Sequence, residues 1–255
     1  MRFLLSNDDG ILAHGLDCLE RAAAPLGETW VVAPDREQSA MSHSLTLHHP
    51  IRPMRRGERR WQVDGTPTDC VMVAVEALLP ERPDFVLSGV NHGQNMGEDV
   101  LYSGTVAAAM EGLALGIPSI AFSFAGGELR ADASLLEAQI PLLTTLIRHL
   151  TQLSWPGNTL LNVNLPPLIG PHVQGVRLTR LGQRYYSGSL KPMTDPWGRT
   201  VYWIGGGSAT WTGPADSDFQ AVRDGFVSVT PLHLDLTHRE LITDAGTWWR
   251  APALP

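Results

Sequence analysis

Cysteine is scarce in this chain: Cys18 and Cys70 are the only two among 255 residues, and both fall in stretches with helical patterning. That scarcity argues against a disulfide framework and fits a reducing, cytoplasmic setting. Excess positive charge is missing as well. The formal net charge is −7, which argues against a nucleic-acid surface as the main role, because phosphate-backbone binding draws on clustered Lys and Arg. No apolar run reaches the roughly 18 residues of a membrane span. No signal peptide is expected, since Asp8 and Asp9 interrupt the apolar run that follows Arg2. Neither an internal repeat nor a low-complexity tract is present. Two phosphate-binding sequences are also lacking, the G-x-x-x-x-G-K-[ST] loop and a G-x-G-x-x-G in the first strand-to-helix turn. Nucleoside triphosphate and dinucleotide readings lose most of their support with them.

What is present is the composition of one large domain, or of a domain with an appended arm, at 43% hydrophobic and 18% charged residues. Strand-like and helix-like runs alternate through the first two thirds, the pattern of a mostly parallel, Rossmann-like α/β sheet with helices on both faces. Strands are expected at Arg2–Ser6, Thr29–Ala33, Asp84–Leu87, Ser119–Phe124 and Thr159–Asn164. Helices are expected at Leu12–Leu26, from Pro67 behind a Thr66 cap, and at Thr105–Leu115 and Leu135–Leu150. From about Pro166 the texture turns to Pro, Gly, Trp and Tyr, with short strand-like pieces at Tyr202–Ile204 and Phe226–Val229. The expected division is a core over 1–165 and a C-terminal extension over 166–255, with a β-rich arm and a return to the core.

In an open parallel sheet, ligands bind beyond the carboxyl ends of the strands. Asp8 and Asp9 lie just past the first strand, Asp35–Ser44 past the second, and Ser88–Thr105 past the central one, so three polar loops share one rim. The adjacent carboxylates in LLSNDDG have two readings. Either a hard divalent cation neutralises them through oxygen ligation, or one caps the following helix and the other is solvated. Ser39 in DREQSAMSHS and Asn91 in LSGVNHGQNMG are candidate neutral oxygen ligands, each also readable as an ordinary turn residue. Ser103-Gly104-Thr105 opens an Ala-rich helix whose free N–H groups suit a phosphate, a role compatible with plain capping by Ser103.

These residues carry a resemblance. The ordered set LLSNDDGILAHG, VVAPDREQSAMSHSLT, VDGTPTDCV, LSGVNHGQNMGEDVLYSGTVAAAMEG, IPSIAFS and AVRDGFVSVTPLHLDLT spans nearly the whole chain. It resembles the SurE survival-protein family of metal-dependent nucleotidases acting on nucleoside 5′- and 3′-monophosphates. The resemblance implies one divalent cation per subunit, Mg or Mn, held by Asp8, Asp9, Ser39 and Asn91, with Asp8 and Asp9 as the catalytic pair. It implies phosphate contacts from Asn95, Ser103, Gly104 and Thr105, and a C-terminal arm that builds a homodimer or homotetramer. Short polyphosphate stays open as a further substrate.

His43 and His92 lie in the site loops as candidate proton donors, whereas His14, His48, His49 and His233 read as structural or surface residues. Arg52, Arg55, Arg56, Arg59 and Arg60 read as a solvated basic hairpin, or as a patch steering anions to the rim. The rival from another class is a receiver module, which also places adjacent acids after its first strand. That module is about half this length and needs an acceptor Asp and a Lys at the rim, where this chain has Asn91 and no Lys.

Overall fold

The computed structural model describes residues 1–126, 129–187, 190–205, 208–244 and 248–249. β1 (Arg2–Ser6) alternates its side chains between two cores: Phe3 and Leu5 face one, Leu4 the other. α1 (His14–Ala23) is shorter than the sequence suggests, because Pro25 cannot continue a helix. β2 (Glu28–Pro34) follows, one residue longer at each end than the expected Thr29–Ala33. β3 (Pro53–Gly57) and β4 (Arg60–Val63) form the basic hairpin. There Arg60 is paired with Glu20, and Arg59 sits beside Glu28.

Thr66 opens α2 (Pro67–Val73) through a reciprocal capping box: its hydroxyl accepts from the Asp69 N–H at 3.1 Å, and the Asp69 carboxylate accepts from the Thr66 N–H at 2.8 Å. β5 (Phe85–His92) runs five residues further than its sequence signal, with a register irregularity between Ser88 and Asn91. Gly89 makes this possible. Its φ of +120° suits glycine, and a Cβ there would lie 2.2 Å from the Phe122 carbonyl oxygen. α3 (Gly104–Ala114) and β6 (Ser119–Phe124) follow.

The single helix expected over Leu135–Leu150 is two, α4 (Leu129–Ala138) and α5 (Ile140–Leu150). The break falls at Gln139, beside Pro141, and the Gln139 amide is held by the carbonyls of Pro166 and Leu168. β7 (Leu160–Leu165) completes the parallel run. Beyond it come β8 (Val176–Leu178), β9 (Gln183–Ser187), β10 (Leu190–Thr194), β11 (Thr200–Ile204), β12 (Ser208–Thr212), α6 (Asp218–Arg223), β13 (Val227–Leu232) and α7 (Arg239–Thr243).

Nine strands form one sheet in the order β3-β4-β2-β1-β5-β6-β7-β13-β8, parallel from β4 through β7. β13 returns antiparallel against β7. α1, α4 and α5 cover one face, while α2 and α3 cover the other. β9 with β12, and β10 with β11, form two antiparallel ribbons outside the sheet. β10 and β11 are exposed at every residue.

Candidate active site

The chain leaves β1 for β2 on one side and later crosses back to β5 on the other, so the carboxyl ends of β1 and β5 flank a topological switch point. Asn7, not either aspartate, makes the turn there. Its Nδ2 donates to the Gly10 carbonyl at 3.0 Å and its Oδ1 accepts from the Gly10 N–H at 3.2 Å, with Gly10 at φ +98°. The N-cap of α1 is Ala13, without a side-chain cap bond. The helix-capping reading of the pair is therefore set aside.

Asp8 is 4% exposed and its carboxylate lies against the amino end of α3. The Thr105 hydroxyl donates to Asp8 Oδ1. Gly104 packs so closely that a Cβ would sit 2.7 Å from Asp8 Cβ. Burial raises the Asp8 pKa, opposed by the Thr105 hydroxyl and by the amides of Asp8, Thr105 and Gly104. Asp9 is pushed up to about 7 by burial, then by the Asp8 charge, with Glu37 adding and the His92 N–H opposing. Among the described residues no cationic side chain contributes to either shift.

The loop after β2 is fastened over this pair by the Gln38 N–H, which donates to the Asp8 carbonyl at 2.7 Å. Ala40 and Ser42 hold left-handed backbone at φ 61° and 54°, uncommon outside glycine and concentrated at functional loops. Ser39 Oγ donates to Glu37 at 2.8 Å. Asn91 commits its Nδ2 to the Gly93 carbonyl at 2.8 Å, which leaves Oδ1 as its acceptor. Asn95 donates from Nδ2 to Ser123 Oγ at 2.9 Å. Ser103 caps α3, accepting from the Val106 N–H at 3.0 Å.

Asp8, Ser39, Asn91, Asn95 and Ser103 line one cavity of about 610 Å³. Asp9 lines an adjoining recess of about 250 Å³ with Glu37 and His92, and His92 also faces the larger cavity. Gly104 and Thr105 are placed differently from the phosphate cradle expected of them: both pack behind Asp8, and Thr105 is fully buried. His43 meets Glu111 on α3 at 2.8 Å.

Three sets of positioning residues carried no sequence motif. Asn162 and Asn164 on β7 both donate to the Asn95 carbonyl, and Asn164 Oδ1 accepts from the Asn95 N–H. Asp218, at the start of α6, accepts from the N–H groups of Gly97 at 2.8 Å and Gly182 at 2.9 Å, joining the loop before α3 to the arm. Arg184 on β9 donates to Asp99 and brings a guanidinium to the cavity wall. The alternation N-V-N inside a buried strand was the one visible signal.

The donor set is chemically suited to a hard divalent cation: two adjacent carboxylates, one buried and one half-buried, one serine hydroxyl and one amide oxygen. Among the described residues no cluster of three or more His, Cys, Asp or Glu side chains comes together, so the carboxylate pair would rely on Ser39 and Asn91 for further ligands.

The chain is similar to known proteins along nearly its whole length. The model of the family described as "Survival protein SurE" matches residues 3–188. A protein of Gemmatimonas aurantiaca named "5'-nucleotidase SurE" is 70% identical over 99% of this chain and 100% of its own. One of Geobacter metallireducens with the same name is 47% identical over 97% of each. The crystal structure of the SurE protein from Aquifex aeolicus superposes with a TM-score of 0.85 at 40% identity, covering 97% of this chain and 99% of that one. With the match running along the sheet, the switch-point loops and the arm base, the chain belongs to the SurE family.

Proposed function

We propose that the chain is a phosphoric monoester hydrolase that releases phosphate from nucleoside monophosphates at one divalent cation, Mg or Mn. The reading extends to 3′- as well as 5′-monophosphates, with short polyphosphate as a lesser substrate. The observation that carries it is the adjacent carboxylate pair, buried Asp8 at a cavity of about 610 Å³ and half-buried Asp9 at the recess beside it, in a chain 70% identical to a protein named for 5′-nucleotidase activity.

Asp8, Asp9, Ser39 and Asn91 would hold the cation, which when bound supplies Lewis acidity toward a phosphoryl group. The chain's own residues do the rest. Ser103 accepts through Oγ from Val106, which leaves its O–H free to donate toward a phosphoryl oxygen. Asn95 is held on both its N–H and its C=O by β7, so its side chain meets the substrate without reorganisation. The dipole of α3 favours negative charge at its amino end. Thr105 and Gly104 act through Asp8, fixing the carboxylate that faces the substrate.

A panel of nucleoside mono-, di- and triphosphates at equal free metal tests the reading. Monophosphates give the higher kcat/KM, because the cavity's guanidinium, Arg184, is already paired with Asp99 and added phosphates bring charge beside Asp8. A triphosphate turned over faster than its monophosphate overturns it.

A further inference from the structure

The cavity is far larger than a phosphoryl group requires; about 610 Å³ falls within the roughly 300–1,000 Å³ typical of whole small-molecule sites. Its two ends differ in chemistry. The floor carries Asp8, Asn91, Asn95 and Ser103, while the mouth is bounded by Tyr102, Arg184 and Ile204. Tyr102 is 61% exposed and Ile204 84%, large apolar surfaces turned outward at the rim of a polar site.

We propose that this mouth is a nucleobase subsite in which the Tyr102 ring stacks on the face of the base. The proposal rests on the nucleoside monophosphate reading above. Tyr102 immediately precedes Ser103, so the aromatic ring springs from the position next to the phosphate end. Its backbone is fixed on both sides: its N–H donates to the Asp99 carbonyl at 3.0 Å, and its carbonyl accepts from the Ser42 N–H at 3.1 Å. The Cα that carries the ring is therefore fixed relative to the phosphate floor. Arg184 supplies a second flat surface. Its guanidinium is bonded to Asp99 and lies 4.7 Å over the Trp211 ring, which holds it in place on the wall. Aromatic rings and guanidinium planes bind bases through the π-face that every base has, so a site of this kind tolerates purines and pyrimidines alike. The larger purine face gains more from it.

The test compares AMP with ribose 5-phosphate, which carries the same phosphate and sugar without a base. In the wild type, AMP has the higher kcat/KM. Tyr102→Ala lowers the ratio of kcat/KM for AMP to that for ribose 5-phosphate by roughly tenfold or more, mainly through KM. Tyr102→Phe restores it, since stacking needs the ring and not the hydroxyl. Equal loss for both substrates in Tyr102→Ala overturns the subsite and assigns Tyr102 to holding the loop. So does a wild type that treats the two substrates alike. A wild type that hydrolyses neither ester, with metal supplied, overturns the phosphatase reading and the subsite together.

Discussion

The Thr105 hydroxyl donates to Asp8 where both groups are buried, so no water can replace it. Thr105→Val therefore leaves an ionised carboxylate one donor short. Hydrogen bonds to charged groups contribute about 1.5–3 kcal/mol, so kcat/KM falls roughly 10- to 100-fold, while Thr105→Ser retains most of it. Steady-state rates for the two variants decide the point. Asp9 gives a pH signature. In the metal-free protein its pKa is raised from 3.8 to about 7, so between those values the folded chain keeps a proton that the unfolded chain has released. Rising pH then destabilises across that window, and the penalty is complete above it. The urea midpoint of chelator-treated protein should be lower at pH 7.5 than at pH 5, and Asp9→Asn should reduce the difference. A wild-type midpoint that rises over the same interval contradicts the assignment. At this scale the sequence located the polar residues but not their direction. Spacing brought Thr105 to the rim, yet only the close packing of Gly104 on Asp8 shows that its hydroxyl turns inward.

Asp218 connects three elements, accepting from the N–H groups of Gly97 and Gly182 and from Phe219 at the start of its own helix. Asp218→Ala leaves buried donors unsatisfied at about 1–3 kcal/mol each, so a loss on the order of 3 kcal/mol or more is expected. It should appear as a lower melting temperature together with a lower kcat/KM, because Gly97 begins the turn that leads to Ser103. Wild-type values of both contradict the clamp. The parallel strands were legible because both faces are buried and they read as apolar runs. The Thr66 capping box was legible because its pattern is local. The carboxyl half of β5 was not, since its continuation through Gly89 depends on the neighbouring Phe122 carbonyl. Nor was the break at Gln139, whose amide is held by carbonyls 27 and 29 residues away. Asn162, Asn164 and Asp218 were hidden for the same reason: a buried polar residue declares its role only through a distant partner.

On the whole-molecule scale, the ribbon of β10 and β11 exposes Leu190 at 58% and Tyr202 at 63% on one face and Trp203 at 66% on the other, large apolar side chains turned to water. We propose that it packs against another subunit, and removal of 183–213 should lower the mass measured by light scattering. An unchanged mass with unchanged circular dichroism contradicts that arrangement. Cation binding by the Asp8–Asp9 pair is the step on which the proposed hydrolysis depends. It is tested most directly by titrating Mn²⁺ calorimetrically into chelator-treated protein while following phosphate release from AMP. The wild type should take up one cation per chain and regain turnover as it does so. Asp8→Asn and Asp9→Asn should each lose more than the roughly 10- to 100-fold typical of outer-shell partners, in affinity and in rate, while keeping the wild-type circular dichroism. Turnover at the wild-type rate by either variant, or by the wild type with its metal removed, would contradict the claim.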